Sequence, residues 1–163
     1  MAMAPVVARR DEGEALWFFG MLVLSRVSAD ASGGQFSLTE QYAPRGIATP
    51  FHRQLDDPET FHILDGELTF YLSDQKPIVA GAGDTVFVPA GEAHAFVVTS
   101  ETARFLNLTT PNHEAFFRSV GEPAVARELP PPGEPDMPRV MAAAGQYGVE
   151  ILGPPPGAGH DAH

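Results

Sequence analysis

Between residues 16 and 109 the hydrophobic positions fall into short runs, each closed by Gly, Pro or Asp, with no stretch at helical period between them. "LWFFGMLVLSRVS" (16–28) is predicted as one long strand with Gly20 as a bulge or kink. "QFSLTEQYA" (35–43) alternates, with Phe36, Leu38, Glu40 and Tyr42 on one face and Ser37, Thr39 and Gln41 on the other. "TFHIL" and "ELTFYL" flank Asp65-Gly66, the strongest short hairpin signal in the chain. "DTVFVPA" and "AHAFVVTS" flank a second Gly-containing turn, and "ARFLNLT" (103–109) closes the series. Strands at this spacing without intervening helices predict an all-β sandwich or barrel.

The pattern changes after residue 110. "TPNHEAFFRSVG" carries a cap at Thr110 or Asn112, an early proline, a helical interior and Gly121 as its stop. "ELPPPGEPDMP" is a polar, proline-rich linker, expected to run extended over the surface. "PRVMAAAGQYG" predicts a short helix from Pro138 to just before Gly148, and residues 153–163 a disordered tail. The predicted organisation is an N-terminal segment (1–14), a β barrel (15–110), a short helical appendage with the linker (111–152), and the tail.

Composition narrows the partners more than the fold. Across 163 residues, Lys+Arg 10 against Asp+Glu 21 gives a net charge of -11, which phosphate backbones and anionic lipid would repel. Nucleic acid and membrane are therefore not expected partners. The absence of cysteine excludes disulfides, thiolate metal sites and cysteine nucleophiles. Arg9-Arg10 is similar to a twin-arginine export signal, but Asp11, Glu12 and Glu14 follow at once and no small-residue cleavage site comes after the apolar run. The expected location is the cytoplasm.

The candidate chemistry sits on strand ends beside rigid turns. His52 and Gln54 share one strand face, Glu59 shares another with Phe61 and Ile63, and His94 heads a strand just after a Pro-Gly turn. Gly46, His52, position 54, Glu59 and Gly66 resemble the first cupin motif, G-x5-H-x-H-x4-E-x6-G. Gly83, Pro89, Gly91 and His94 resemble the second, G-x5-P-x-G-x2-H. The "LNLTTP" exit into a helix is similar to small bacterial cupins of quercetin dioxygenase-like type. Two departures stand out: Gln54 replaces the second histidine of the first motif, and Val98 the asparagine that often ends the second.

The resemblance implies a single cupin (jelly-roll) barrel and one divalent transition metal, whether iron, nickel, manganese, copper or zinc. His52, Glu59 and His94 would be its ligands, with Gln54 a weak ligand or a hydrogen-bond partner of substrate or bound water. Two imidazoles and a carboxylate are also the donor set of the non-haem iron facial triad. Glu59 would in addition be the catalytic base. The implied function is a quercetin 2,3-dioxygenase-like oxygenase acting on a small enolisable or aromatic molecule inside the barrel. A non-oxidative cupin using its metal as a Lewis acid (an isomerase or polyketide cyclase) and a small-molecule-binding cupin without catalysis are the alternatives. A homodimer through the sheets or the 16–28 strand is expected.

Other residues are expected to serve the scaffold. His62 faces away from Glu59 by strand parity, His113 is a solvated residue of a helix's first turn, and His160 and His163 lie in the tail. Asp56, Asp57 and Glu67 are turn and surface acids. Trp17, Phe61, Phe87, Phe96 and Phe105 are core or pocket wall, and Ile63, Val86 and Val88 fill the barrel.

Overall fold

The computed structural model describes residues 3–156. His160, His163 and most of the tail lie outside that range. The chain builds two facing antiparallel sheets, the jelly-roll arrangement, with two helices at one end. The seven-stranded sheet contains β1 (Ala15–Phe18), β2 (Met21–Val27), β3 (Ser37–Pro44), β5 (Glu59–Asp65), β8 (Thr85–Val88), β10 (Thr102–Thr109) and the short β11 (Glu122–Pro123), in the order β11-β1-β2-β3-β10-β5-β8. The five-stranded sheet contains β4 (Phe51–Gln54), β6 (Glu67–Leu72), β7 (Ile78–Gly81), β9 (His94–Val98) and β12 (Val149–Gly153), in the order β12-β4-β9-β6-β7.

Two turns differ from their sequence reading. Gly20 is not a kink in one strand: Phe18 pairs with Met21, so Phe19-Gly20 is a two-residue hairpin turn between β1 and β2. Both turn residues have positive φ, 50° and 78°, as the turn type that matches strand twist demands. A Cβ on Gly20 would also meet Ile47 Cδ1 at 2.5 Å, which leaves glycine as the residue that fits. Asp65-Gly66 reverses the chain as its composition says, but β5 and β6 do not pair with each other. The turn carries the chain from one sheet to the other, and a Cβ on Gly66 would stand 2.1 Å from Thr102 O.

The helices match their end signals. α1 (Pro111–Val120) is capped by Thr110, whose side chain accepts from His113 N–H, and α2 (Met137–Tyr147) ends at Gly148 in the left-handed region. β12 was not anticipated. It runs from Gly148 along the edge of β4, pairing Val149 with Gln54 and Ile151 with His52. It thereby covers the backbone edge of the strand that carries His52. The linker lies over β1, where Trp17 Nε1–H donates to Glu128 O at 2.8 Å. Of the aromatic residues read as core or wall, Phe61, Phe96 and Phe105 are buried, whereas Phe87 is 61% exposed on the outer face of β8. No helix among the described residues is long and apolar enough to cross a membrane.

Candidate metal centre

His52 and His94 are direct partners across β4 and β9, their rings 4.4 Å apart. Glu59 opens β5 in the opposite sheet, with its side chain turned inward by the same parity that buries Phe61 and Ile63. The sandwich therefore brings two imidazoles from one wall against a carboxylate from the other. Ligand atoms of His52, Glu59 and His94 all lie within 4.8 Å of one another.

Each histidine is fixed from behind. Nδ1–H of His52 donates to Pro50 O at 2.7 Å, and Nδ1–H of His94 donates to Glu92 O at 2.8 Å. A carbonyl can only accept, so both protons sit on Nδ1 and both Nε2 atoms are left for the centre. This backing, from a main-chain oxygen, is the support that metal-binding histidines ordinarily have. His94 is placed by the turn before it, whose Gly91 N–H donates to Gln54 O at 2.7 Å and so ties the head of β9 to β4.

Glu59 is 5% exposed, and both of its oxygens are engaged. Oε1 accepts from Gln54 Nε2 at 2.6 Å and faces His94 Nε2 at 3.3 Å, while Oε2 accepts from Asn107 Nδ2 at 2.7 Å. Burial pushes its carboxyl up, but the imidazoles of His113, His94 and His52 outweigh that and hold it well below the usual carboxylate range. Burial, then the neighbouring His94, pushes His52 down to about 4. Burial also lowers His94, but its hydrogen bond and charge contact with Glu59 prevail and raise it. With Nδ1–H already committed to Glu92, His94 Nε2 meets the carboxylate well only with a proton between them or, equally, a cation. The donor set fits a divalent metal: two preset imidazole nitrogens and one anionic oxygen.

Gln54 is 1% exposed and hydrogen-bonded to Glu59, yet it stands behind the carboxylate and does not line the cavity in front of it. That cavity is narrow: about 50 Å³ is open to the centre of a water-sized sphere. Its walls are aromatic, with Phe19, Phe61, Phe96 and Phe116 among them, and Phe19 sits there at the positive φ of the β1–β2 turn. Its polar lining includes His52, Glu59, His94 and Asn107.

A family model described as Cupin domain matches residues 38–109, the stretch that carries His52, Glu59 and His94. The barrel has the cupin fold. Quercetin 2,3-dioxygenase of Bacillus subtilis (strain 168) is 28% identical over 120 residues, 73% of this chain but only 35% of that relative's length. Among solved structures, a predicted oxalate decarboxylase from Thermotoga maritima aligns with a TM-score of 0.58 at 22% identity, over 64% of this chain and 98% of that one. The polyketide cyclase RemF from Streptomyces resistomycificus aligns with a TM-score of 0.56 at 23% identity, over 86% of this chain and 99% of that one. At such identities the structural likeness shows the shared cupin fold and nothing finer.

Two residues read as surface features belong to this region. His113 is 2% exposed and lines the cavity, because α1 packs its first turn into the barrel's end. Its ring stacks on Phe116 at 5.4 Å. Asp57 is 4% exposed: Oδ1 accepts from Thr110 Oγ1 at 2.5 Å and Oδ2 from Asn112 Nδ2 at 2.8 Å, clamping the start of α1 to the β4–β5 loop. "TPNHEAFF" shows a helix start but not what it docks against. His62 faces outward as expected, with Nδ1 2.8 Å from Thr85 Oγ1.

Proposed function

We propose that this cupin-fold barrel holds a divalent transition metal on His52, Glu59 and His94, and catalyses a quercetin 2,3-dioxygenase-like oxygenation of a small enolisable or aromatic molecule. One observation carries the reading. Two imidazole Nε2 atoms, each preset by an Nδ1–H bond to the main chain, converge with a buried carboxylate at an aromatic-walled cavity. The similarity to quercetin 2,3-dioxygenase from Bacillus subtilis supports the reaction class. Held by His52, Glu59 and His94, the metal would supply Lewis acidity toward a substrate hydroxyl.

The chain's own residues do the rest. The aromatic walls hold a flat ring and exclude water from the carboxylate. Glu59, anionic at neutral pH and a weak base for its low pKa, takes the proton of a hydroxyl already made acidic. Gln54 and Asn107 keep its two oxygens aimed while it does so. Elemental analysis of protein purified without added metal, followed by oxygen uptake with a flavonol, tests the reading. About one metal per chain and flavonol-dependent oxygen consumption are expected. Turnover of an enolisable substrate without oxygen uptake would assign Lewis-acid cyclase or isomerase chemistry instead, and a chain that takes up no divalent metal would end both readings.

A further inference from the structure

One buried imidazole at the cavity, that of His113, lies outside the group of His52, Glu59 and His94. Neither ring nitrogen of His113 has a hydrogen-bond partner: Nδ1 is buried and unpaired, and Nε2 stands 3.8 Å from Glu59 Oε2, beyond a normal hydrogen bond. A buried polar group left in that state costs about 1–3 kcal/mol. A phenylalanine would pack against Phe116 and Phe117 without that cost, so packing alone does not account for a histidine here. Its place on α1 is well fixed. Thr110 caps its N–H, Asp57 clamps Thr110 and Asn112 just before it, and Phe116 and Phe117 hold the ring by stacking and edge contacts.

Position 54, where the cupin motif most often has its second histidine, carries a glutamine turned to Glu59 from behind. Gln54 does not line the cavity, and His113 does. We propose that His113 is the fourth protein donor of the metal centre, an imidazole delivered by α1 in place of the one missing from β4. The inference rests on the metal centre proposed above and deepens it. His113 is not among the three residues whose donor atoms all lie within 4.8 Å of one another, so joining the shell requires its ring to shift toward His52 and His94 when metal binds. Its 3.8 Å separation from Glu59 Oε2 nonetheless suits two donors on one ion, since ligands about 2 Å from a shared metal stand roughly 3 to 4 Å apart. The shell becomes three imidazoles and one carboxylate, with one imidazole outside the two sequence motifs. Metal binding then also pins α1 across the end of the barrel.

Copper(II) alone is a sufficient probe. One equivalent is added to the wild-type protein, to His113→Phe and to Gln54→Leu. Nitrogen coupling is read by electron paramagnetic resonance, and affinity by competition with a chromophoric chelator. Three coordinated nitrogens are expected in the wild type and in Gln54→Leu, and two in His113→Phe, with affinity about 100-fold lower, the upper range seen for loss of a metal's supporting residues. Two nitrogens in the wild type, or an unchanged spectrum in His113→Phe, overturns the role of His113 and leaves the His52, Glu59 and His94 centre standing. A wild-type chain that binds no copper overturns both. Should His113→Phe fail to fold, the wild-type nitrogen count decides by itself.

Discussion

The two ends of the barrel interior are built from the same strands and could hardly differ more. β5 supplies Ile63 to one end and Glu59 to the other, β10 supplies Phe105 and Asn107, and β9 supplies Val98 and His94. β3 gives Ala43 to the first and Ser37 and Thr39 to the second, all with their side chains inside. At the apolar end Ile63, Leu68, Phe70 and Phe105 are fully buried and fill the space by contact alone. At the polar end His52, Glu59 and His94 are held by directed hydrogen bonds, and the unpaired buried side-chain atoms among the described residues all lie there: Ser37 Oγ, Gln54 Oε1, Asn107 Oδ1 and His113 Nδ1. The first end supplies stability that the second spends on a prearranged site, a division natural proteins show at functional centres.

The sharpest way to break this contrast is to damage each end in turn. Phe105→Ala removes a ring with edge or tilted contacts to Phe61 and Phe96 and should destabilise the fold by about 3–5 kcal/mol in urea unfolding. Metal affinity of the folded fraction should stay unchanged. A loss under about 1 kcal/mol would place Phe105 outside the load of the core.

Glu59→Gln reverses the pattern. The neutral side chain offers one acceptor oxygen where Gln54 and Asn107 both donate, so one amide is left facing another. Unfolding free energy should drop by about 1–3 kcal/mol. Metal affinity should fall far more, by about 100-fold or greater, because the only anionic donor is gone. Chelator competition on the folded variant reads the second effect, and unchanged affinity would remove Glu59 from the centre.

Gln54→Leu is subtler. It deletes one donor to Glu59 and one unpaired oxygen together, so stability should shift by no more than about 1 kcal/mol. Metal affinity should drop about tenfold, as Glu59 loses the support that aims it. Loss of metal as complete as in Glu59→Gln would make Gln54 a ligand in its own right.

Much of this contrast is legible in the sequence. Parity put Glu59, Phe61 and Ile63 on one face, because strand geometry is periodic, whereas the convergence of His52, Glu59 and His94 was implied by the resemblance to the two cupin motifs. The helices were equally readable from Thr110, Gly121, Pro138 and Gly148. What escaped depends on contacts between distant parts of the chain. Asp65-Gly66 looks the same whether it joins two paired strands or two sheets. β12 pairs with a strand nearly a hundred residues earlier, and "VEILG" holds no sign of that partner. On β3 the alternation separates the two faces, but the structure puts the polar set inside. His113 and Asp57 look solvated until α1 is seen to start inside the barrel's end.

The smallest effect, and the one confined most cleanly to the polar end, is the response of the metal-free protein to acid. His52 titrates near 4 in the fold against about 6.5 in an unfolded chain, and His113 is lowered as well. Between those values the unfolded state binds more protons, so stability rises with pH there and is lost as pH falls from about 6.5 toward 4. His94 works in the opposite sense: its raised value stabilises the fold below the unfolded value, and that contribution fades as pH climbs through the folded one. Glu59, lowered, adds stability above about 4.5 that is lost only on further acidification. Below about 6.5 the His94 contribution is constant, so His52 and His113 set the slope and thermal melts of the metal-free chain should weaken gradually from pH 6.5 to 4.5. The double variant His52→Leu with His113→Phe should show a flatter profile there, whereas His94→Leu should leave that slope unchanged and lose the decline seen above pH 6.5. Phe105→Ala, which touches no titrating group, should shift the whole curve down without changing its slope. Parallel profiles for the wild type and the double variant would mean that the polar end does not keep these imidazoles neutral, and the contrast between the two ends would then be one of shape and not of charge.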